Sequence, residues 1–452
     1  MKILILGGSG ILSTDFTHLC LDNNNMVCIV NRGKKTMFID SRAKLIVADL
    51  RADTINQLKE KLCTQKYDVV VDFLSYTVEQ MKKTLNVIEE HFFQYVFISS
   101  ATVYKKKFQN EIITEKSDKG NSNWEYAYNK FLCEKYLSTL QINYTIIRPY
   151  VTYGVSRIPF PIIPEGYHYT LLERILEDKP VILYNEGQAK CTLTTTKDFA
   201  EILYKLLLNP KAYGNDFHIT SNSIQSWKDV YLTYCSLLNK EPNFVSINLE
   251  QIKRYFPDFE QILVGDKGQD MIFDNTKVMD AIGGYSFQSD LVDGLKKSVN
   301  YYLKNPSMQQ INYIWDGKCD YFLKKVYRIH LRPIIFSSER NTSKFAYWIL
   351  STTGLRFLYD RLRKLHSMLK NNYIKFLHTK KLERGIVMHT EMKPILFKKK
   401  EDCCGCAACY SICPKKAINM LEDDEGFEYP HIDENKCIRC FQCVRVCPIK
   451  SF

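Results

Sequence analysis

The last fifty residues hold two copies of one cysteine pattern, and no other feature so narrows what this chain can fold into. The first copy is Cys403-x2-Cys406-x2-Cys409-x3-Cys413-Pro414, and the second is Cys437-x2-Cys440-x2-Cys443-x3-Cys447-Pro448. A segment this short cannot bury a large core, so a metal centre must supply much of its folding energy. A single run would also suit zinc, which binds Cys-x2-Cys pairs. Two runs, each closed by a fourth cysteine and a proline, point to two [4Fe–4S] clusters rather than to zinc or disulfides. Cys404 is left over and reads as a small residue beside a cluster.

The segment resembles the bacterial two-cluster ferredoxins, down to the Asp424-Glu425-Gly426-Phe427 turn and the Ile432-Asp433 pair before the second run. The resemblance implies an α+β fold in which the fourth cysteine of each run ligates the other cluster. Cys403, Cys406, Cys409 and Cys447 would then hold one cluster, and Cys437, Cys440, Cys443 and Cys413 the second.

At 452 residues the chain has room for two or three domains. Nine of its 16 cysteines lie in the ferredoxin-like segment. The other seven, Cys20, Cys28, Cys63, Cys133, Cys191, Cys235 and Cys319, sit in apolar or helical surroundings and read as reduced core residues. Clusters and unpaired thiols together suggest a reducing cytoplasm. Met1-Lys2 runs straight into a strand, so no leader is expected, and no apolar stretch is long enough to span a membrane. The net charge of +12 is uneven: Asp320–Glu401 holds nineteen Lys or Arg against six Asp or Glu.

The N-terminus supplies a second kind of signal. Lys2-Ile3-Leu4-Ile5-Leu6 is an apolar run suited to a buried parallel strand. It leads into Gly7-Gly8-Ser9-Gly10-Ile11-Leu12-Ser13 and then a helical pattern. Glycines here allow a tight turn and bring backbone amides close to a pyrophosphate at a helix N-terminus. Gly7, Gly10 and Ser13 are therefore candidate cofactor-binding residues, Ser13 standing where a third glycine is usual. The next strand ends at Asn31-Arg32, where NAD-preferring folds place an acid for the ribose 2′-hydroxyl. Arg32 would instead meet a 2′-phosphate, which favours NADP, with NAD the alternative. Asp49, ending the third strand, is placed to meet the adenine.

The order Ser99-Ser100-Ala101-Thr102-Val103-Tyr104, Tyr126-x3-Lys130 and Arg148-Pro149-Tyr150 follows. Over roughly residues 1–305 the chain resembles the NAD-dependent epimerase/dehydratase family of extended short-chain dehydrogenases. The resemblance implies a Rossmann-type α/β fold, a doubly wound parallel sheet with a smaller substrate domain, that part lying mainly at 155–305. It also implies roles. Tyr126 is the acid/base, Ser100 holds the substrate oxygen with Thr102 as the alternative hydroxyl, and Lys130 binds the nicotinamide ribose. Lys130, one helical turn from Tyr126, should lower the phenol's pKa by its charge. Tyr-x3-Lys alone says little in a chain with 29 tyrosines, and Tyr321-x3-Lys325 matches it too.

One departure bears on the substrate. Where many nucleotide-sugar enzymes of this family carry arginine, about seven residues before Asp198, stands Cys191, with Lys190 beside it as a point charge for a diphosphate. Residues 306–395 form a basic connecting segment, in which 345–365 reads as an amphipathic helix for a membrane surface, an acidic partner, or plain solvent. No nucleic-acid module is recognisable. The expected whole is a cytoplasmic, homodimeric enzyme, with contact to a membrane surface through its basic segment as one of the readings left open. It would act on a nucleotide sugar and carry an iron–sulfur module at 396–452 for an electron-transfer partner. The alternative is an electron-transfer protein whose Rossmann domain is a docking or regulatory module.

Overall fold

The structure is a computed structural model. It describes residues 1–331 apart from 34–38, 106–110 and 289, then 394 and 396, and most of 403–447. The chain divides into two units, Met1–Phe357 and Leu358–Phe452.

The first unit is built on a seven-stranded parallel sheet. Its strands run across the sheet in the order Asn215–Ile219, Asn143–Pro149, Phe92–Ile98, Tyr67–Asp72, Lys2–Leu6, Met26–Asn31 and Lys44–Val47. Apolar runs such as Lys2–Leu6 carry almost no polar side chains because both sheet faces are covered by helices. Ile3, Ile5, Val69, Val71 and Val96 pack one face against Phe16, Phe199 and Leu203. Leu4, Leu6, Val70, Tyr95 and Phe97 pack the other against Met81, Cys133 and Leu137. The strand order reverses between Lys2–Leu6 and Tyr67–Asp72, which opens a crevice at the C-terminal ends of the strands.

A smaller lobe gathers short strands, Val151–Tyr153 with Lys190–Thr195 and Val181–Tyr184 with Phe244–Ile247, around a core including Trp227, Tyr231 and Leu193. Residues expected in the connecting segment belong to this lobe. Helix Tyr313–Phe322 places Trp315, Cys319 and Phe322 against Ile182, Ile247 and Ile252. Its acidic face meets the buried Arg174, whose Nη1 bonds Asp320 at 2.9 Å and also Asp316, while Lys179 reaches Asp316 at 3.0 Å. The expected amphipathic helix at 345–365 lies outside the described residues. No helix among the described residues is long and apolar enough to cross a membrane.

In the second unit, helix Ala408–Ile412 precedes the antiparallel pair Ile418–Glu422 and Glu428–Ile432, and helix Gln442–Val446 follows it. Gly426, at φ +83°, lies in the turn between the two strands, where Asp423 N donates to Phe427 O at 2.9 Å. The core is small: Leu396, Cys409, Ile418 and Cys443.

Candidate functional site

The glycine turn sits in the crevice. Gly7 has φ +94°, and a Cβ there would fall 2.7 Å from Leu74, so the turn requires glycine. Ser13 does more than pack closely. Its Oγ accepts from Gly10 N at 2.9 Å and donates to Gly7 O at 2.9 Å, pinning the turn to helix Ile11–Asp22. The cleft of about 620 Å³ in front of the turn is lined by Gly7, Gly10, Ser13, Arg32 and Asp49 at one side and by Ser75 and Arg157 at the other. Five of the six residues expected to bind cofactor line this cleft, and the sixth, Lys130, is not among its lining residues. Asp49 is held below the usual carboxylate range, chiefly by the Arg51 amide. Sequence reasoning missed Asn31, whose Oδ1 takes Gly33 N at 2.7 Å while its buried Nδ2 has no partner.

The helix Glu125–Leu137 carries Tyr126 and Lys130. Tyr126 is half-buried, its ring stacked on Tyr76 at 5.6 Å and beside Trp124 at 5.0 Å. Enclosure raises its pKa, opposed by the Ser100 hydroxyl and the Arg157 charge. This corrects the expected direction. The Lys130 ammonium donates to Ser75 O and Ile98 O, each at 2.8 Å, and lies 4.7 Å from the centre of the Phe97 ring. Burial lowers the pKa of Lys130 as well, against the pull of Asp72. It is engaged with backbone carbonyls, and the charge of Arg157 bears on the phenol.

Ser100 is buried and shares a 2.9 Å hydrogen bond with Thr102. The two hydroxyls weighed as alternatives therefore act on each other. Ser99, beside them, donates to Glu134 at 2.5 Å. Glu134 in turn clamps Arg148 through two bonds, 2.9 Å at Nε and 2.8 Å at Nη2, and Arg148 also meets Tyr104 at 2.8 Å and Asp216 at 2.7 Å. The Arg148-Pro149 element of the sequence is thus structural. So is Asp198, which accepts from Thr195 at 2.6 Å and Tyr285 at 2.7 Å. Cys191 is fully buried and Lys190 lies at the exposed start of its strand.

The cysteine cluster residues are brought together in part. Cys413, Cys437, Cys440 and Cys443 line one cleft, so the fourth cysteine of the first run faces the first three of the second. Cys403 and Cys406 lie close enough to Cys409 to raise its pKa, adding to the larger effect of burial. Cys447 is half-buried after helix Gln442–Val446, and Cys404 lies outside the described residues. No three potential ligands among the described residues converge as on a single ion. The thiols suit a cluster, which spreads its ligands over several irons. The seven remaining cysteines are free, and six of them are buried.

Comparison with known proteins agrees with both units. Residues 3–220 match the NAD dependent epimerase/dehydratase family and residues 402–451 the 4Fe-4S dicluster domain. An uncharacterized ferredoxin of Methanocaldococcus jannaschii is 37% identical over 52 residues, 12% of this chain and 66% of that protein. In fold, the chain is similar to the UDP-glucose 4-epimerase of Thermus thermophilus in complex with NAD, with TM-score 0.55 and 16% identity over 67% of this chain and 99% of that one. It is also similar to a dTDP-glucose 4,6-dehydratase from Bacillus anthracis in complex with NAD, with TM-score 0.55 and 17% identity over 68% and 98%. The chain therefore joins a domain of the NAD dependent epimerase/dehydratase family to a 4Fe-4S dicluster domain.

Proposed function

We propose that the first unit binds NADP or NAD in the crevice and oxidises or reduces a hydroxyl-bearing carbon of a nucleotide sugar, with the clusters of the second unit serving a separate electron-transfer partner. One observation carries this reading. The Ser100 hydroxyl bears on the Tyr126 phenol, and Lys130, one helical turn from Tyr126, donates to the carbonyl of Ser75, which lines the cleft that opens at the glycine turn. The pyrophosphate would rest on the amides of the first turn of helix Ile11–Asp22, the Gly10 amide being taken by Ser13 Oγ. Arg32 and the unpartnered Asn31 amide offer donors to a ribose phosphate.

The nicotinamide, when bound, supplies the hydride acceptor or donor. The chain's own residues handle the proton. Tyr126 takes it from a substrate hydroxyl or returns it to a carbonyl, and the Ser100–Thr102 pair holds the same oxygen by hydrogen bonds. Lys130 fixes the strand-end loops against which substrate and cofactor lie. The nucleotide-sugar class rests on the family and on the epimerase and dehydratase folds it is similar to.

In the second unit Cys413, Cys437, Cys440 and Cys443 would hold one cluster, and Cys403, Cys406, Cys409 and Cys447 the other. Hydride chemistry needs neither, and a two-electron hydride does not divide onto one-electron clusters without a flavin or similar intermediary. The test is to incubate the protein with UDP-glucose or dTDP-glucose and each dinucleotide. An altered sugar or a reduced dinucleotide is expected. Failure to bind either dinucleotide contradicts the proposal.

A further inference from the structure

A second titratable group faces the neighbourhood of Tyr126, on a segment far away in sequence. Residues Leu263–Lys267 form a single π-helical turn, a rare form that often marks functional sites. Asn121 ties this turn to the Ser100 loop: its Nδ2 donates to Gly265 O at 2.6 Å and to Thr102 O at 2.9 Å. Gly265 lies against the Tyr126 helix. A Cβ there would fall 2.9 Å from the Cβ of Trp124, whose ring is 5.0 Å from that of Tyr126. The next residue, Asp266, is thereby carried alongside Tyr126.

Asp266 is 2% exposed, and the Tyr150 hydroxyl lies beside its carboxylate, near enough to act on it as a donor. A purely structural buried carboxylate normally has its oxygens satisfied. Beyond each other, Asp266 Oδ1 and the Tyr150 hydroxyl have no partner among the described residues, which leaves this buried pair able to turn to a polar ligand. The charged and titratable groups bearing on Asp266 are Lys267 from its own turn, Tyr150, Cys191 and Tyr126. Burial raises Asp266 to about 6 in spite of Lys267, so it exchanges protons near neutrality.

We propose that Asp266 is a second proton-transfer group of the substrate pocket, serving the carbon next to the one that Tyr126 serves. This rests on the functional reading above. Once the substrate hydroxyl has become a carbonyl, with the dinucleotide as hydride acceptor, the adjacent C–H bond is acidic. The Asp266 carboxylate takes that proton. The C–H electron pair moves into a C=C bond and onto the carbonyl oxygen as an enolate, and the protonated Asp266 later returns the proton to carbon. Simple oxidation and reduction at one carbon would need no such group. Asp266 therefore points to a reaction that passes through an enolate, such as epimerisation or elimination beside the carbonyl.

Two measurements test this. The first runs UDP-glucose and dTDP-glucose with NADP or NAD in heavy water and weighs the recovered sugar. Wild type should place solvent deuterium on carbon, and Asp266→Asn should lower deuterium gained per dinucleotide reduced at least tenfold. Dinucleotide reduction without deuterium in wild type, or an unchanged ratio in the variant, overturns the proposal. The second needs no substrate. In protein labelled with carbon-13 tyrosine, the Tyr126 resonance, assigned with Tyr126→Phe, should shift with a midpoint near pH 6. A flat wild-type titration overturns the pairing of Asp266 with Tyr126. If neither sugar reacts but the step is present, the sugar assignment fails and the pairing stands.

Discussion

Lys130 lies one helical turn beyond Tyr126, yet its ammonium donates to two backbone carbonyls, Ser75 O and Ile98 O, at 2.8 Å each. Lys130 thus joins the ends of two adjacent sheet strands, Tyr67–Asp72 and Phe92–Ile98. Lys130→Met would leave two buried carbonyls unsatisfied, at roughly 1–3 kcal/mol each. Thermal unfolding should show a clear loss of stability, and titration should show weaker dinucleotide binding because Ser75 lines the cleft. An unchanged melting temperature would mean that the lysine is free of these carbonyls in solution.

The buried Arg148–Glu134 pair invites a comparison of variants. Glu134→Gln strips a bidentate partner from an arginine that is 1% exposed, and breaking such a pair costs about 3–5 kcal/mol. Asp216, still 2.7 Å from Arg148, should hold the loss near the lower end. A double variant, Arg148→Met with Glu134→Leu, should be less destabilised than the sum of its parts. Urea unfolding of wild type, Glu134→Gln, the double variant and its two single variants, Arg148→Met and Glu134→Leu, checks this.

Asp266 should be a stability cost that rises with pH. Its folded pKa of about 6 stands above the ordinary value of 3.8, so folding favours the protonated form. That advantage is fully present below about pH 4 and is lost as pH rises through 6. Asp266→Asn should therefore be more stable than wild type above pH 7, by roughly 3 kcal/mol at most, and match it near pH 4. Melting temperatures at both pH values decide it.

The parts of this molecule that were legible in the sequence are those whose signal is local. Lys2–Leu6 reads as a buried strand because both of its faces are covered, and Gly7 as a required glycine because its φ is positive. The cysteine spacing was informative for the same reason. What stayed hidden depends on residues distant in sequence. Arg174 meets Asp316 across 142 positions, which turns part of a supposed linker into core. Asn121 reaches Gly265 across 144, so nothing in the local pattern marks Asp266 as a neighbour of Tyr126. The effect of Lys130 on Tyr126 was misjudged because helical spacing gives proximity and says nothing of the carbonyls that compete for the ammonium.

Cys413 shares its cleft with Cys437, Cys440 and Cys443. Cys413→Ala should therefore damage the same cluster as Cys440→Ala, and Cys447→Ala the same one as Cys406→Ala. Iron and sulfide analysis with electron paramagnetic resonance of the reduced proteins should sort the four variants into those two pairs. Pairing by run instead, Cys413 with Cys406, would contradict the crossed arrangement.

The central claim is that hydride chemistry resides at Tyr126 and needs no iron. The most direct measurement is conversion of UDP-glucose or dTDP-glucose by two full-length variants, Tyr126→Phe with clusters intact and Cys403→Ala/Cys437→Ala with the first unit intact. Tyr126→Phe should lose conversion by about 10²–10⁴-fold while still binding dinucleotide, and the cysteine variant should retain it. Full activity in Tyr126→Phe together with its loss in the cysteine variant would contradict the claim.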